Sequence, residues 1–238
     1  MTTQTLKQAI TLAIASTAMA LGAASSATAA SLVPGNITDN QFSQLMASGQ
    51  FTETFVTSSR IGAAGASDYE LGILDPQNNL LPDQQQQFGW TSGDVVDFSL
   101  TYDGSTVDYR VGDQLLSSTT FSGPVTDLFF RTRAADESSV QLSNLVLTDD
   151  TGSLNLGSFG STGIGGRDVD YLQLTDVTGA FEISGQSVLS WTSDAPPRGS
   201  ALIYQIKAGT AQSVPEPASL AAIALVGAAG LKLRRRRG

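Results

Sequence analysis

The strongest constraint on the fold is an alternation of apolar and polar side chains with a period of two. Apolar residues alternate with polar ones from Val96 to Tyr102, Asp103-Gly104 supplies a turn, and the alternation resumes over residues 107–111. Successive side chains of a β-strand point to opposite faces of the sheet. The segment is therefore predicted to be a β-hairpin with one buried face.

Similar alternating segments recur along the chain, separated by Gly, Asp, Asn and Ser. They predict strands at residues 51–61, 69–74, 126–133, 139–148, 153–159, 170–174, 180–184, 187–192 and 201–208. A sheet with one apolar face needs a second sheet to cover it. The pattern thus predicts an all-β fold, an antiparallel β-sandwich that is jelly-roll-like or immunoglobulin-like, over residues 31–213.

One short helix is predicted ahead of the strands. Thr38 or Asp39 can cap its first amides, and Gly49 is placed to end it. Its apolar face has the i, i+3, i+4 spacing of a helix and consists of Phe42, Leu45 and Met46.

The first 30 residues have the composition of a secretory signal peptide. Lys7 is their only charged residue, and residues 9–24 are an uncharged, largely apolar run. Ala27 and Ala29 form a small-x-small site for a signal peptidase. We therefore expect residues 1–30 to be removed on export.

The last 25 residues, 214–238, combine an apolar run with positive charge. Residues 218–231 are uncharged, and a membrane-stop block follows, formed by Arg234, Arg235, Arg236 and Arg237. With Lys232 snorkelling, a helix here would reach about 24 Å, short of the roughly 30 Å hydrocarbon core. Basic residues stay on the cytoplasmic side, so the precursor is expected in the inner membrane with its body in the periplasm.

Pro215, Glu216 and Pro217 precede this apolar run. The order of the three parts resembles the PEP-CTERM sorting signal of Gram-negative bacteria. The resemblance implies that an exosortase recognises the Pro-Glu-Pro element, cuts near it, and releases or re-attaches the protein at the cell surface, typically in biofilm-forming bacteria. Two prolines fix φ and remove amide donors, which keeps the element extended. An ordinary tail anchor with a proline spacer is the alternative.

The body also resembles a known group. Residues 55–62, 69–73, 98–104 and 189–207 are similar to an uncharacterised cyanobacterial choice-of-anchor domain, type W. The resemblance implies a β-rich surface module and brings no activity and no binding residues.

Charge and residue types limit the chemistry. Six of the 13 basic residues lie in the two ends, which leaves seven; against the 22 acidic residues, 21 in the body and Glu216 beside it, this gives a net charge of −15 for the exported part. Such a surface repels phosphate backbones, so no nucleic-acid binding is expected. The chain has no Cys and no His, which excludes disulfides, Ser-His-Asp triads and the usual zinc sites. Carboxylate chemistry, a hard-metal site, or a Ser–Lys pair using Lys207, the only lysine of the body, remain.

Three carboxylate pairs are candidates for chemistry: Asp136-Glu137, Asp149-Asp150, and Asp168 with Asp170. A glycosidase needs two carboxyl groups facing each other across a cleft, whereas these are neighbours in turn-like sequence. We therefore expect no catalytic residue and no enzyme. Calcium is the more consistent ligand for Asp168 and Asp170, next to the glycine-rich residues 163–166. A melting temperature that millimolar calcium leaves unchanged would contradict this site.

The sequence thus predicts an exported, non-enzymatic cell-surface or extracellular-matrix protein. The alternative is a carbohydrate-binding, lectin-like module that binds exopolysaccharide, with or without calcium. Glutamines 84–87 beside Trp90 suit sugar hydroxyls if the ring is exposed for stacking. Since aromatic residues mostly bury, we instead expect the glutamines to form an exposed loop that leads into a strand with Trp90 in the core. The burial of Trp90, Trp191 and the tyrosines discriminates between the two interpretations.

Overall fold

A computed structural model describes residues 29–62, 69–135 and 137–212. These ranges contain one helix and thirteen strands: β1 (Ser31–Val33), α1 (Asp39–Ala47), β2 (Phe51–Arg60), β3 (Leu71–Leu74), β4 (Leu80–Gln86), β5 (Val95–Tyr102), β6 (Val107–Val111), β7 (Gln114–Ser118), β8 (Asp127–Ala134), β9 (Ser138–Asp149), β10 (Gly152–Thr162), β11 (Asp168–Thr175), β12 (Phe181–Trp191) and β13 (Ile203–Ala211).

The strands form two sheets, and within each sheet every pair of neighbouring strands is antiparallel. The larger sheet has the order β1-β11-β8-β13-β2-β3-β4, and the smaller one β10-β9-β12-β5-β6-β7. After β7 most connections cross from one sheet to the other. The predicted all-β sandwich is confirmed, and β13 is the central strand of the larger sheet.

The main core lies between the sheets. Its fully buried side chains come from both inner faces and include Leu100, Phe130, Ile183, Tyr204 and Ile206. Burying one such large apolar side chain contributes about 1.5–3 kcal/mol. Because the chain has no cysteines, this packing has to stabilise the body without disulfides.

The hairpin expected from the sequence is strands β5 and β6 with their turn. Asp103 Oδ1 accepts hydrogen bonds from the amides of Ser105 and Thr106 at 2.9 and 2.7 Å. Gly104 has a φ of +95°, a conformation that glycine adopts without steric cost. Turn chemistry and alternation agree here, which is why the prediction was correct.

The two strands predicted at residues 180–184 and 187–192 are in fact one strand, β12. Gly185 separates the predicted segments, but it pairs with Phe98 in the middle of the sheet. A Cβ at this position would lie 2.6 Å from Leu145 Cδ2. The glycine therefore allows close packing inside a strand and does not form a turn.

Three strands that the sequence did not predict, β1, β4 and β7, are all edge strands. These edge strands have a neighbouring strand on one side only and bury fewer side chains, so their alternation of apolar and polar residues is weak. Strand β4 contains Gln84–Gln86, which corrects the interpretation of the glutamines as a loop. It also contains Pro82, a residue tolerated at sheet edges because it has no amide to donate.

Helix α1 packs on the outer face of the larger sheet. Thr38, one of the two caps that the sequence offered, is its N-cap, and it forms a capping box with Gln41. Phe42 stacks on Tyr171 with ring centroids 5.3 Å apart and joins Phe51 and Phe129 in a second apolar cluster. In the described ranges no helix has the length and apolarity needed to cross a membrane. The apolar run at residues 218–231 lies outside these ranges.

Both ends of the described body lie at one end of the sandwich. Ala29 and Ala30 lie against the β9–β10 turn. Asp149 of that turn accepts a hydrogen bond from the Thr178 amide, and the adjacent Val177 bonds to Thr126, which in turn bonds to Gly209. The described body therefore begins and ends at the same end of the sandwich.

Candidate functional site

A groove of about 690 Å³ lies on the outer face of the larger sheet, beside α1. Helix residues including Phe42 and Met46 form one wall, and Pro76 and Asn78 of the β3–β4 turn lie opposite. Its polar side chains are Asp39, Ser43, Glu53, Arg131, Tyr171, Gln205 and Lys207. The volume is typical of small-ligand sites, and convergent polar groups are the usual mark of such a site.

The groove contains a buried ion pair. Lys207 Nζ donates to Glu53 Oε1 at 2.8 Å, and the two side chains are only 8% and 2% exposed. Lys207 Nζ also lies 5.0 Å from the ring centroid of Phe42, within range of a cation–π interaction. Removing two charges from water costs several kcal/mol per ion, so such a pair is weak evidence for stability. Its position in a groove instead suggests a binding role.

A bulge in β2 brings the two charges together. Ala208 of β13 pairs with Phe55, but the next residue, Gly209, pairs with Glu53, so Thr54 is an extra residue. Phe55 points into the main core, whereas Glu53 lies on the outer face. If β2 were regular through Thr54, with no bulge, residues 53 and 55 would share a face, and Glu53 would point to the same side as Phe55, away from Lys207.

A second charged network holds the start of α1 on the sheet. Arg131 donates from Nε and Nη2 to the Asp39 carboxylate at 2.8 and 3.1 Å. Tyr171 Oη donates to Asp39 Oδ1 at 2.8 Å, and Arg167, in the β10–β11 loop, forms an ion pair with the same carboxylate. A carboxylate in the first turn also interacts favourably with the helix dipole.

This network shifts the acid–base equilibria of its members. The hydrogen bond from Arg131 lowers the pKa of Asp39 to about 2, although burial acts in the opposite direction. Burial raises the pKa of Tyr171 above its usual value, and its hydrogen bond to Asp39 acts in the same direction. Asp39 is therefore ionised and Tyr171 is a neutral hydrogen-bond donor at neutral pH.

The depressed pKa of Asp39 predicts an acid-dependent loss of stability. Ionised Asp39 stabilises the folded state above about pH 4, its ordinary range, and this contribution disappears as the pH falls towards about 2. Because the carboxylate is partly exposed and solvent screens its interactions, we expect ionised Asp39 to contribute about 1 kcal/mol to the free energy of unfolding. Urea unfolding between pH 6 and 2.5 should show Asp39→Asn less stable than wild type at pH 6, with the difference shrinking in acid. Asp113→Asn, in the β6–β7 turn, is the control, and a constant difference for Asp39→Asn across this range would contradict the prediction.

The predicted calcium ligands lie together at the start of β11. Asp168 Oδ2 accepts a hydrogen bond from the Thr162 amide at 2.8 Å, and Asp170 Oδ1 accepts one from Asn36. Burial and then the charge of Asp168 raise the pKa of Asp170. Across the described ranges there is no group of three or more His, Cys, Asp or Glu side chains that could hold a metal. Calcium binding by the two aspartates stays a prediction.

The other carboxylate pairs serve turns. Asp149 accepts hydrogen bonds from the Thr151 and Thr178 amides at 2.8 and 3.1 Å. Although burial acts to raise it, these bonds lower the pKa of Asp149. Glu137 accepts a bond from the Gly165 amide at 3.1 Å, and Asp136 lies outside the described ranges.

Asp149 and Asp150 also line a smaller groove of about 350 Å³, together with Asp103, Asp108 and Glu182. A glycosidase needs one carboxyl group whose pKa is raised so that it can act as an acid. The pKa values of Asp103 and Asp149 are lowered instead, that of Asp103 mainly by its bond from the Thr106 amide. The chemistry of these two groups therefore does not favour general acid catalysis.

The expectation that Trp90 is a core residue is confirmed. Trp90 is 9% exposed and contacts Phe88 and Tyr204 at ring-centroid distances of 4.4 and 6.5 Å. Trp191 is partly buried and packs against the same core. The Tyr69 ring is covered by the Arg60 guanidinium, 3.7 Å from its centroid. Trp90 therefore has no exposed ring face for sugar stacking.

The residues predicted for processing lie at or beyond the limits of the described ranges. Ala29 is described and lies beside the β9–β10 turn, whereas Ala27, the Pro-Glu-Pro element and the arginine block are outside. The last described residue, Gln212, donates from its amide to Gln50 O at 2.9 Å. The backbone hydrogen bonds of the sandwich therefore extend to Gln212.

Strand β13, the central strand of the larger sheet, ends at Ala211, just before a C-terminal motif. Residues 213–237 match the PEP-CTERM protein-sorting motif. The chain therefore carries the sorting signal of an exported protein that an exosortase handles, as the sequence indicated. Among curated proteins, none is significantly similar in sequence to this chain. The similarity of the body to a choice-of-anchor domain stays a prediction.

Sequence reasoning singled out Lys207 but missed its partner Glu53 and the Asp39–Arg131–Arg167 network. The sequence did contain a signal for Glu53. Glu53 stands between Phe51 and Phe55 at the spacing of a strand, and a charge in such a row predicts a buried or paired carboxylate. No neighbouring residue in the sequence indicated which cation would pair with Glu53.

Proposed function

We propose that the protein is a non-enzymatic component of the cell surface or extracellular matrix. The observation that carries this proposal is the PEP-CTERM protein-sorting motif at residues 213–237, which marks an exported protein handled by an exosortase. The absence of Cys and His from the whole chain supports a non-enzymatic role, since most nucleophilic and zinc-dependent mechanisms need them.

The way the body meets the motif supports processing next to a folded domain. The Ala211 amide donates to Asp127 Oδ2 at 2.9 Å, and Ala211 still pairs with Phe51 in the sheet. Pro215 follows three residues after Gln212, a distance of at most about 10 Å in extended chain. A protease that cuts at the motif therefore works close to this end of the sandwich, and cleavage leaves the body intact.

Intact-mass spectrometry of the protein from its native host tests the proposal. We expect the surface or secreted form to lack residues 1–30 and the Arg234–Arg237 block. Pro215→Ala with Pro217→Ala should leave most of the protein with its tail uncut, because the extended recognition element is lost. The control is Pro124→Ala with Pro196→Ala, two exposed prolines of the body. A surface form that retains the arginine block in the wild type would contradict exosortase handling.

A second candidate is a lectin-like carbohydrate-binding module on the cell surface. The groove beside α1 favours it, because Gln205, Asn78 and Ser43 line this groove together with charged side chains. Amide and hydroxyl groups of this kind match the hydroxyl groups of sugars. Because Trp90 is buried, such a site would rely on hydrogen bonds and charge rather than on stacking.

A further inference from the structure

We propose that Asp127 holds the end of β13 in the sheet and thereby confines C-terminal cleavage to the Pro215–Glu216 bond or to bonds further along the chain. This inference rests on the proposed handling by an exosortase and specifies where the protease can cut. It is carried by the hydrogen bonds at the end of β13 and by the number of residues that separate them from the Pro-Glu-Pro element.

The end of β13 extends beyond one of its two neighbouring strands. The ladder between β13 and β8 ends where Gly209 pairs with Asp127, whereas on the other side β13 pairs with β2 as far as Ala211 and Phe51. Backbone groups of an antiparallel strand point alternately to its two sides. The Ala211 amide points to the side of β8, which begins only at Asp127, so it needs an acceptor other than a strand backbone.

Asp127 supplies that acceptor with its side chain. Its Oδ2 atom accepts hydrogen bonds from the Ala211 amide at 2.9 Å and from the Thr126 hydroxyl at 2.6 Å. Asp127 is only 4% exposed, and a carboxylate that is buried to this extent has to be hydrogen-bonded. The burial of this group at the end of β13 therefore indicates a specific role in holding the strand end.

Backbone and packing contacts hold the same strand end elsewhere. The Gln212 amide donates to Gln50 O at 2.9 Å, and the Thr126 amide donates to Gly209 O at 2.9 Å. The Ala211 side chain packs against the second apolar cluster, under α1. The end of β13 is thus held from both sides, up to the last described residue.

These contacts limit where a protease can cut. An extended peptide is commonly bound as an added strand, through its backbone groups, and the amides of Ala211 and Gln212 are already bonded. Only Ser213 and Val214 lie between Gln212 and Pro215, and two residues span at most about 7 Å. Bonds on the amino side of Pro215 are therefore too close to the folded body to enter a protease cleft.

The Val214–Pro215 bond has a second disadvantage. Proline has no amide hydrogen and restricts the conformation of the residue before it, so this bond does not offer the backbone donor that strand-like binding uses. The Pro215–Glu216 bond has an amide hydrogen and is one residue further along the chain. The processed protein should therefore retain Pro215, and with it an intact β13, the central strand of the larger sheet.

Intact-mass spectrometry of the surface form from the native host locates the cut. The wild-type protein should end at Pro215 or at a later residue. A surface form that ends at Val214 or earlier would overturn this inference and leave exosortase handling in place. A surface form that keeps the arginine block would overturn both, so the two failures are distinguishable.

Hydrogen exchange on the same purified surface form tests the contact with Asp127. Asp127→Ala should speed exchange of the Ala211 amide about tenfold relative to that of Ile206 in the middle of β13, the factor that corresponds to the loss of one hydrogen bond. Asp127→Asn keeps a side-chain acceptor and should restore most of the protection. Asp150→Ala, which removes an exposed carboxylate at the same end of the sandwich, is the control. An unchanged ratio in Asp127→Ala would overturn the proposal.

The same variants test whether the strand end sets the cut. In Asp127→Ala part of the surface form should end before Pro215, because the end of β13 opens more often. Asp127→Asn and Asp150→Ala should give the wild-type C-terminus. If Asp127→Ala speeds the exchange of Ala211 but leaves every cut where it is in the wild type, the hydrogen bond does not confine cleavage and the proposal is overturned.

Discussion

Lys207→Met should lower the free energy of unfolding by about 3–5 kcal/mol, because it leaves the Glu53 carboxylate buried with no cation. Glu53 is 5% exposed as a residue, and Lys207 is its ion-pair partner. A domain of this size is stable by roughly 5–15 kcal/mol, so the loss is a large part of the total. Equilibrium urea unfolding at pH 7 measures it.

Two further variants separate lost charge from lost packing. Glu53→Leu with Lys207→Met should recover most of the stability, since well-packed apolar residues can replace a buried pair at little cost. Arg110→Met, at an exposed position of β6, should change the stability by less than about 0.5 kcal/mol. If Lys207→Met also cost less than about 1 kcal/mol, the pair would be hydrated in solution and its burial would be refuted.

Gly209→Ala should destabilise the protein by about 3 kcal/mol or more, because β13 and β2 approach each other too closely for a side chain. A Cβ here would overlap the Thr52 carbonyl oxygen and lie 2.9 Å from Phe51 Cζ. A backbone atom cannot move aside without breaking the ladder between the two strands, and overpacking of this kind is costly. Thermal and urea unfolding give the size of the effect.

The control for this prediction is Gly157→Ala in edge strand β10. Gly157 has a φ of +76° and open space around its Cα. Alanine there meets only the backbone cost of a left-handed conformation, about 1–2 kcal/mol. If Gly157→Ala were the more damaging of the two, the close approach at the β2 bulge would be refuted.

Local chemistry explains which elements could be predicted. The capping residue Thr38, the apolar spacing of α1 and the Asp103-Gly104 turn act within a few residues, so the sequence shows them directly. The predicted strands show their alternation because one face packs against the opposite sheet and the other does not. Edge strands β1, β4 and β7 are covered less, so their alternation is weak and they were missed. Gly185 was misleading because close packing and turns both select glycine.

The candidate site could not be predicted in the same way. Its charged residues come from α1, β2, β8, β13 and the β10–β11 loop, and Asp39 contacts Arg131 and Arg167 across 92 and 128 positions of the chain. Glu53 reaches Lys207 across 154 positions. The sequence showed that the body had few basic residues and only one lysine, but it did not show which carboxylates they would meet.

The amino-acid sequence by itself determined where this protein is sent and the kind of fold it has, because the sorting motif and the alternation of side chains are read over short stretches of chain. Only the tertiary structure decided that the body contains a groove with a buried ion pair between Glu53 and Lys207. The physical reason is that sheet register, shifted by one extra residue at Thr54, selects the face on which Glu53 lies. A shift of one residue in a strand exchanges its two faces, and the alternation alone does not show where such a shift occurs.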